Sequence, residues 1–198
     1  MEQIFIRCTT RDNIINATLK IIGEEGFQNV TIRKIASIAG VNVAAINYHF
    51  GSKDIVINEA LKYLTGKLKD SFKYLGEKEI SPEIRIKNFT RSYADAALEH
   101  PDVFRNYINH SMCNNEIPSD YSEFIKREGF EELKNTLREM RGQDEDMNLF
   151  VKGFQIISGI AFPVLLGKQM EKLSGINYDD KIVRYKYLDV LLKTIIEN

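Results

Sequence analysis

The 198-residue sequence contains no tryptophan, only two cysteines and only four prolines. Cys8 and Cys113 lie far apart and define neither a disulfide framework nor a metal-binding spacing. The 27 basic and 28 acidic residues leave a formal net charge of -1. That balance excludes a globally basic nucleic-acid coat protein, so any contact with DNA must come from a local patch.

The sequence also lacks a long apolar segment. The longest uncharged apolar run, residues 153–167, is shorter than the roughly 20 residues that span a membrane. Charged residues at positions 7, 11 and 12 interrupt the start of the chain, where a signal peptide would have its apolar core. We therefore expect a cytoplasmic protein that does not use a membrane as a partner.

Strand signals are missing, and the fold is expected to be all-α. No Asn-Gly or Asp-Gly turn separates alternating runs, whereas apolar residues recur every three or four positions. Pro82, Pro101 and Pro118 start predicted helices, and Pro163 predicts a kink inside a long one. The pattern predicts about nine helices, over residues 10–25, 31–39, 42–49, 52–75, 82–100, 101–115, 118–141 (with an interruption at Gly129), 144–170 and 179–197.

Residues 31–50, TIRKIASIAGVNVAAINYHF, are the most informative stretch. They predict two short helices joined by a tight turn at Gly40. The second helix is almost free of charge and begins with Asn42, Val43, Ala44 and Ala45, so its backbone can come close to a partner and its methyl groups can meet a thymine methyl. This layout is typical of a helix-turn-helix, whose second helix lies in the DNA major groove.

Polar side chains in and around this segment are candidate DNA contacts. Asn42 and Asn47 can donate and accept at base edges. Donors to phosphate oxygens, which set register without reading sequence, are Thr31, Arg33, Tyr48, His49 and Lys53. Simpler interpretations stay open at this point: Thr31 and Asn42 can be helix caps, Arg33 and Lys53 solvated surface, and His49 a core histidine.

The order of these residues resembles the TetR family of transcriptional regulators over roughly residues 8–60. The matching elements are Glu24-Glu25-Gly26-Phe27, Thr31-Ile32-Arg33-Lys34-Ile35-Ala36, Ala39-Gly40-Val41 and Ile46-Asn47-Tyr48-His49-Phe50-Gly51-Ser52-Lys53. The resemblance implies an N-terminal helix-turn-helix domain over residues 1–55. It also implies a helical domain for effector binding and dimerisation over residues 56–198.

The resemblance assigns roles to individual residues. Thr31 and Lys53 would contact phosphates, Arg33 would lie near the DNA backbone, and residues 42–49 would form the recognition helix. Many family members have a phosphate-binding tyrosine where this chain has Asn47, so either Asn47 or Tyr48 would take that role. Val43 stands at a position that is often polar or basic in the family, which shifts readout toward apolar contact.

In the second domain the resemblance implies a dimer interface and an effector pocket. The last two helices would pair with their copies through residues that recur at helical spacing: Phe150, Ile157, Ile160, Val164, Tyr185, Leu188 and Leu192. Candidate pocket residues for a largely apolar effector of unknown identity are Phe89, Tyr93, Phe104, Tyr107, His110, Met112 and Phe154. Ordinary core is the alternative for each of these residues.

The sequence favours a ligand-released repressor over other classes of protein. No nucleophile elbow, phosphate-binding glycine loop or HExxH motif indicates an enzyme. His110 and Cys113 are three residues apart but lack a third ligand, so neither a metal nor a cofactor is expected. A helical protein-interaction adaptor and a transcriptional activator of the same fold remain alternatives.

Overall fold

The computed structural model describes residues 9–114, 123–142 and 144–196, and the side chains at 110–114 and 141 lie outside the described set. Every regular element in these ranges is helical, which confirms the all-α prediction. The α-helices are α1 (Thr10–Glu25), α2 (Ile32–Ala39), α3 (Val43–Phe50), α4 (Lys53–Ser71), α5 (Pro82–Glu99), α6 (Pro101–Asn114), α7 (Phe130–Arg141), α8 (Asp146–Leu166), α9 (Lys168–Ser174) and α10 (Lys181–Ile196).

The first three helices form a compact three-helix unit. A capping box starts α1, because Thr9 accepts a hydrogen bond from the Asp12 amide while the Asp12 carboxylate accepts one from the Thr9 amide. Ile14, Ile35 and Ile46, one from each helix, are fully buried. The long helix α4 packs against α1 and α5 and so leads the chain into the C-terminal helices.

Helix α5 is central to the C-terminal helices, which we call the helical body (α5–α10). It packs against α4, α7, α8 and α10. The aromatic rings of Phe72 and Phe89 lie 4.7 Å apart between centroids, and Tyr93 meets Phe72 edge-on at 6.0 Å. Arg85 is buried, donates to the Leu75 carbonyl at 2.7 Å and pairs with Glu139. The body therefore has an aromatic interior and buried cations with partners, among them Arg85, Lys134 and Arg184.

Several helix boundaries differ from those predicted. The predicted helix 52–75 leaves α geometry after Ser71 and ends as a 3-10 turn, Phe72–Gly76. The predicted helix 144–170 is two helices, because Gly167 adopts φ +53, which ends α8 before α9 begins. A π-helical turn, Ile125–Gly129, precedes α7, and the predicted start at Pro118 lies outside the described residues.

Helix α8 is the most apolar element. Within the described residues it is the one helix long and apolar enough to cross a membrane, with a mean hydropathy of 1.8 over its best window. The sequence had indicated that its uncharged run was too short for that. Only 33% of the window is buried in this chain. Helices that pack against other parts of a protein can be as long and as apolar as helices that span a membrane. Length and composition therefore identify α8 as an apolar helix and not as a membrane span.

Candidate nucleic-acid interface

Hydrogen-bonded caps set the positions of α2 and α3. Thr31 Oγ1 accepts from the Lys34 amide at 3.2 Å, and Asn42 Oδ1 accepts from the Ala45 amide at 2.7 Å. Gly40 adopts φ +66 between the two helices, a left-handed conformation that favours glycine. Thr31 and Asn42 are thus caps, the alternative that the sequence left open. Capping satisfies the first amides of each helix and fixes where α3 begins.

Helix α3 has one buried face and one exposed face. Ile46 and Phe50 point into the three-helix unit. On the opposite face Ala44, Asn47 and Tyr48 are exposed, and 87% of Tyr48 is accessible, an unusual value for an aromatic side chain. The side chains on the exposed face are small at the N-terminal end of α3 and polar further along. A partner that has a groove can therefore approach the first turn of the helix closely.

The other predicted contact residues surround this face. Val43 is 40% exposed, Ala45 is half-buried, and His49 is exposed with its ring edge-on to Tyr48. His49 is therefore a surface residue, and the interpretation as a core histidine is wrong. Its ring lies beside the one large aromatic group on the exposed face.

The cations next to α3 divide into two sets. Lys34 is paired with Glu25, and Arg11 is paired with Glu59 and lies over the Phe50 ring. Lys34 joins α2 to α1, and Arg11 joins α1 to α4 through Glu59 and to α3 through Phe50. Arg33 and Lys53 are exposed and form no ion pair within the described part of the chain. Their charge remains available to an anionic partner.

The predicted pocket residues that the structure describes lie on three helices, α5, α6 and α8. Phe89 and Tyr93 are in the aromatic interior, and Phe104 and Tyr107 are buried on α6. Phe154 is 58% exposed and stacks on Phe150 at the outer surface of α8, so it lies apart from the aromatic interior. The side chains of His110 and Met112 lie outside the described set. Described cavities of about 370, 510 and 270 Å³ are lined by other residues.

Four of the predicted dimer residues are core residues of a single chain. Ile160 and Val164 on α8, and Leu188 and Leu192 on α10, are buried without a partner chain. Ile157 and Tyr185 are half-buried, and the Tyr185 hydroxyl donates to Asp95 at 2.7 Å. Of the seven residues, Phe150 alone is exposed.

The exposed apolar side chains of α8 lie on the helical face next to the predicted one, and Phe150 belongs to both. We call this set the outer apolar face: Met147, Phe150, Val151, Phe154 and Phe162 on α8, with Ile182 and Val190 on α10. Because α8 is apolar on nearly every side, its periodicity could not indicate which side packs inside the chain. The long apolar run was the available signal that more than one face of α8 is apolar.

The described residues contain no group of three histidine, cysteine or acidic side chains that could hold a metal ion. The side chains of His110 and Cys113 lie outside the described set. What the arrangement brings together is an exposed helix face, nearby cations and capped helix starts. These features define a helix-turn-helix domain, a class of domain that places its second helix in the major groove.

Comparison with known proteins agrees with this class. Residues 14–60 match the family described as bacterial regulatory proteins, tetR family. The HTH-type transcriptional regulator BetI of Rhizobium meliloti (strain 1021) is 30% identical over 91 residues, 46% of this chain and 45% of that protein. The HTH-type transcriptional repressor NicS of Pseudomonas putida is 29% identical over 93 residues, 47% of this chain and 44% of that protein.

Solved structures extend the likeness to the whole fold. The TetR family transcriptional regulator PfmR from Thermus thermophilus superposes with a TM-score of 0.68 at 20% identity, covering 91% of this chain and 97% of that chain. A TetR-like transcriptional regulator from a Rhodococcus species gives 0.70 at 13% identity, covering 97% and 98%. Residues 14–60 therefore match the tetR family in sequence, and the chain as a whole shares the fold of these regulators, although its sequence matches span less than half the length of these curated relatives.

Proposed function

We propose that this protein is a transcriptional repressor that binds a near-palindromic operator as a homodimer and is released by a small-molecule effector. The observation that carries the proposal is the exposed face of α3. It combines small residues at the helix start with Asn47 and an 87% exposed Tyr48. A tyrosine this exposed gains little from folding, so its aromatic ring and hydroxyl are suited to contact with a partner.

The assignment of DNA as that partner rests on chemistry around α3. The N-terminal ends of helices α2 and α3 favour anions, and Arg33 and Lys53 contribute unpaired positive charge. Ala44 and Val43 leave room for base edges and thymine methyl groups. Tyr48, His49 and Thr31 are donors to the phosphate backbone. Repression is supported by the similarity to NicS, which is named a transcriptional repressor.

A homodimer is supported by the outer apolar face. Exposed phenylalanines such as Phe154 (58%) and Phe162 (59%) lie on the same helix as Met147 (68%), and a contiguous apolar patch of this kind marks an interaction site. A second copy of α8 and α10 would cover it. Two copies are also what a palindrome requires, since a single helix-turn-helix reads one half-site.

An effector is supported by the aromatic interior of the body. Phe89, Tyr93 and Phe104 are buried in the hydrophobic core, an environment suited to a largely apolar ligand oriented by a few polar groups. An effector that prefers a different arrangement of the two three-helix units would shift the population away from the DNA-competent state.

The test is selection of binding sites from a random duplex pool, followed by salt titration of the enriched site. We expect a short palindrome for the natural protein and none for the Asn47→Ala, Tyr48→Ala double variant. Ile38→Ala is the matched control, because Ile38 is exposed on α2 and is not a predicted contact. An adaptor that does not bind DNA would give no enrichment with any of the three proteins.

Single variants then determine whether Asn47 or Tyr48 contacts the phosphate, a choice that the sequence left open. The residue that holds a phosphate is the one whose removal weakens binding about equally for every operator sequence. Removal of a residue that reads a base edge should instead lower affinity mainly for the preferred base, and the salt dependence should stay unchanged in both cases because both side chains are neutral.

A further inference from the structure

Helix α6 presents a different face to each of three neighbours. Asp102 and Val103 lie against α1, where a Cβ built on Gly23 would meet the Asp102 Cβ at 3.3 Å and the Val103 Cγ2 at 3.5 Å. Phe104 and Tyr107 are buried in the body. Arg105 points to the end of α8. One helix therefore touches the three-helix unit, the interior and the helix that carries the outer apolar face.

The contact with α1 is made through two carbonyls of its last turns, of which the Ile22 carbonyl also accepts from the Gly26 amide at 3.1 Å. Asn106 Nδ2 donates to the Ile22 carbonyl at 2.9 Å and to the Gly23 carbonyl at 3.1 Å. Because α1 ends at Glu25, the Gly23 carbonyl belongs to the last turn, which has no intrahelical donor. Asn106 therefore completes the C-terminal end of α1 from a different helix.

Arg105, the preceding residue of α6, likewise donates to a carbonyl at the C-terminal end of α8. Arg105 Nη1 donates to the Val164 carbonyl at 3.0 Å, and α8 ends at Leu166. A cation at a helix C-terminus is favoured by the partial negative charge there. A Cβ built on Gly167 would lie 3.1 Å from the same Arg105 nitrogen, so the glycine allows the guanidinium to approach closely.

We propose that Asn106 is a positioning residue, which holds the three-helix unit in a fixed orientation on the body, and that α6 links that orientation to α8. The inference rests on the proposed function, since an orientation matters for DNA only if two units must match two half-sites. Phe104 and Tyr107 share α6 with Asn106, so a ligand that displaced either ring would also move the hydrogen bonds to α1.

The chain offers a matched control for Asn106. Asn29 Nδ2 donates to the Glu25 carbonyl at 2.7 Å, so it too is an asparagine amide that completes the end of α1. Asn29 belongs to the three-helix unit itself, whereas Asn106 belongs to the body. Asn29→Ala and Asn106→Ala each remove one such amide, but only Asn106→Ala removes a link between the two parts.

The experiment measures the orientation directly, without DNA. Spin labels are placed at two exposed positions, Ser37→Cys in the three-helix unit and Lys172→Cys on α9, with Cys8 and Cys113 replaced by serine. Labelled protein is mixed with excess unlabelled protein, so that pulsed electron resonance reports the distance within one chain. Asn106→Ala, Asn106→Asp, Arg105→Gln and Asn29→Ala are compared in this background.

We expect a narrow distance distribution for the parent protein and for Asn29→Ala. Asn106→Ala should broaden it, and Asn106→Asp should broaden it further, because a carboxylate has no donor and faces two carbonyl oxygens. Arg105→Gln should broaden it by releasing the other end of α6. A parent-like distribution in folded Asn106→Ala and Asn106→Asp proteins would overturn the inference, whether or not the protein binds DNA.

DNA binding supplies the second readout. On an operator with two half-sites, Asn106→Ala should weaken binding on the order of tenfold relative to Asn29→Ala, a typical coupling between sites. On a duplex with one half-site the two variants should bind equally. Loss of binding to both duplexes by every protein would contradict the proposed function and leave the distance result to decide on Asn106.

Discussion

Substitutions at two nearby residues of α3 are expected to lower different quantities, operator affinity at one residue and folding stability at the other. Tyr48 is 87% exposed and Ile46 is fully buried, although only one residue separates them. We expect Tyr48→Ala to lower operator affinity by about tenfold, a loss of about 1.4 kcal/mol of binding free energy. Its unfolding free energy should change by no more than about 0.5 kcal/mol, as for other surface substitutions.

The paired variant is Ile46→Ala. Truncation of this buried side chain leaves a cavity in the three-helix unit and should cost about 2–5 kcal/mol of stability. Urea unfolding and fluorescence anisotropy with a labelled operator measure the two effects. If Tyr48→Ala lost as much stability as Ile46→Ala, the exposed tyrosine would be a structural residue and its assignment to DNA would be wrong.

The contact between α8 and α10 contains an unusual backbone arrangement. Pro163 has no amide hydrogen, so it cannot donate to the Gly159 carbonyl four residues earlier in α8. The Tyr187 hydroxyl of α10 donates to that carbonyl at 3.0 Å. A Cβ built on Gly159 would lie 2.7 Å from both methyl groups of Leu191, which shows how closely the helices approach.

We predict that Tyr187→Phe costs about 1–2 kcal/mol of stability, because it leaves the Gly159 carbonyl without a donor. The cost should fall toward zero when Pro163→Ala is also present, since the alanine amide can then donate within α8. A double-mutant cycle in urea unfolding measures this coupling. Equal costs of Tyr187→Phe in both backgrounds would show that the hydroxyl contributes through some other contact.

Helices α5 and α10 are joined by a carboxylate whose stability contribution depends on pH. Burial raises the pKa of Asp95, but hydrogen bonds from Arg184 and Tyr185 outweigh that effect and hold the pKa below its ordinary value. Arg184 donates to Asp95 at 2.7 and 3.1 Å. A lowered pKa in the folded state means that this stability is present above the unfolded pKa, about 3.9, and is lost as the pH falls through the folded value.

Asp95→Asn should therefore be less stable than the parent protein by about 2 kcal/mol at neutral pH, the scale of a hydrogen bond to a charged group. The difference should shrink as the pH falls below about 4, because the parent carboxyl then becomes neutral as well. Urea unfolding at neutral and acid pH measures both values. A stability difference that stayed constant with pH would show that the charge on Asp95 is not the source of the stabilisation.

At the scale of the whole molecule, local signals in the sequence predicted the elements well and predicted their packing poorly. Thr31, Asn42 and Gly40 mark helix ends by local chemistry, so the boundaries of α2 and α3 could be predicted. The break at Gly167 could not, because a glycine inside an apolar run does not by itself fix a positive φ. Which side of α8 is buried depends on distant helices, so Ile160 and Val164 were assigned to a partner although they pack inside the chain.

The outer apolar face gives a prediction about assembly. Phe154→Glu, Phe162→Glu protein should be monomeric, because two carboxylates would have to be buried without partners in the interface. Ile38→Glu is the control, since Ile38 is an exposed apolar residue on α2. Sedimentation of the parent and both variants measures the oligomeric state. A dimer that persisted in the double variant would place the interface elsewhere.

We expect two copies of α3 to read two half-sites about 34–36 Å apart on one duplex. The most direct measurement is titration of the protein, by fluorescence anisotropy, onto the selected palindrome and onto a copy with one half-site scrambled. We predict a complex of two chains on the palindrome and binding at least tenfold weaker to the scrambled copy. Equal affinity for the two duplexes, or one chain bound to the palindrome, would contradict the claim.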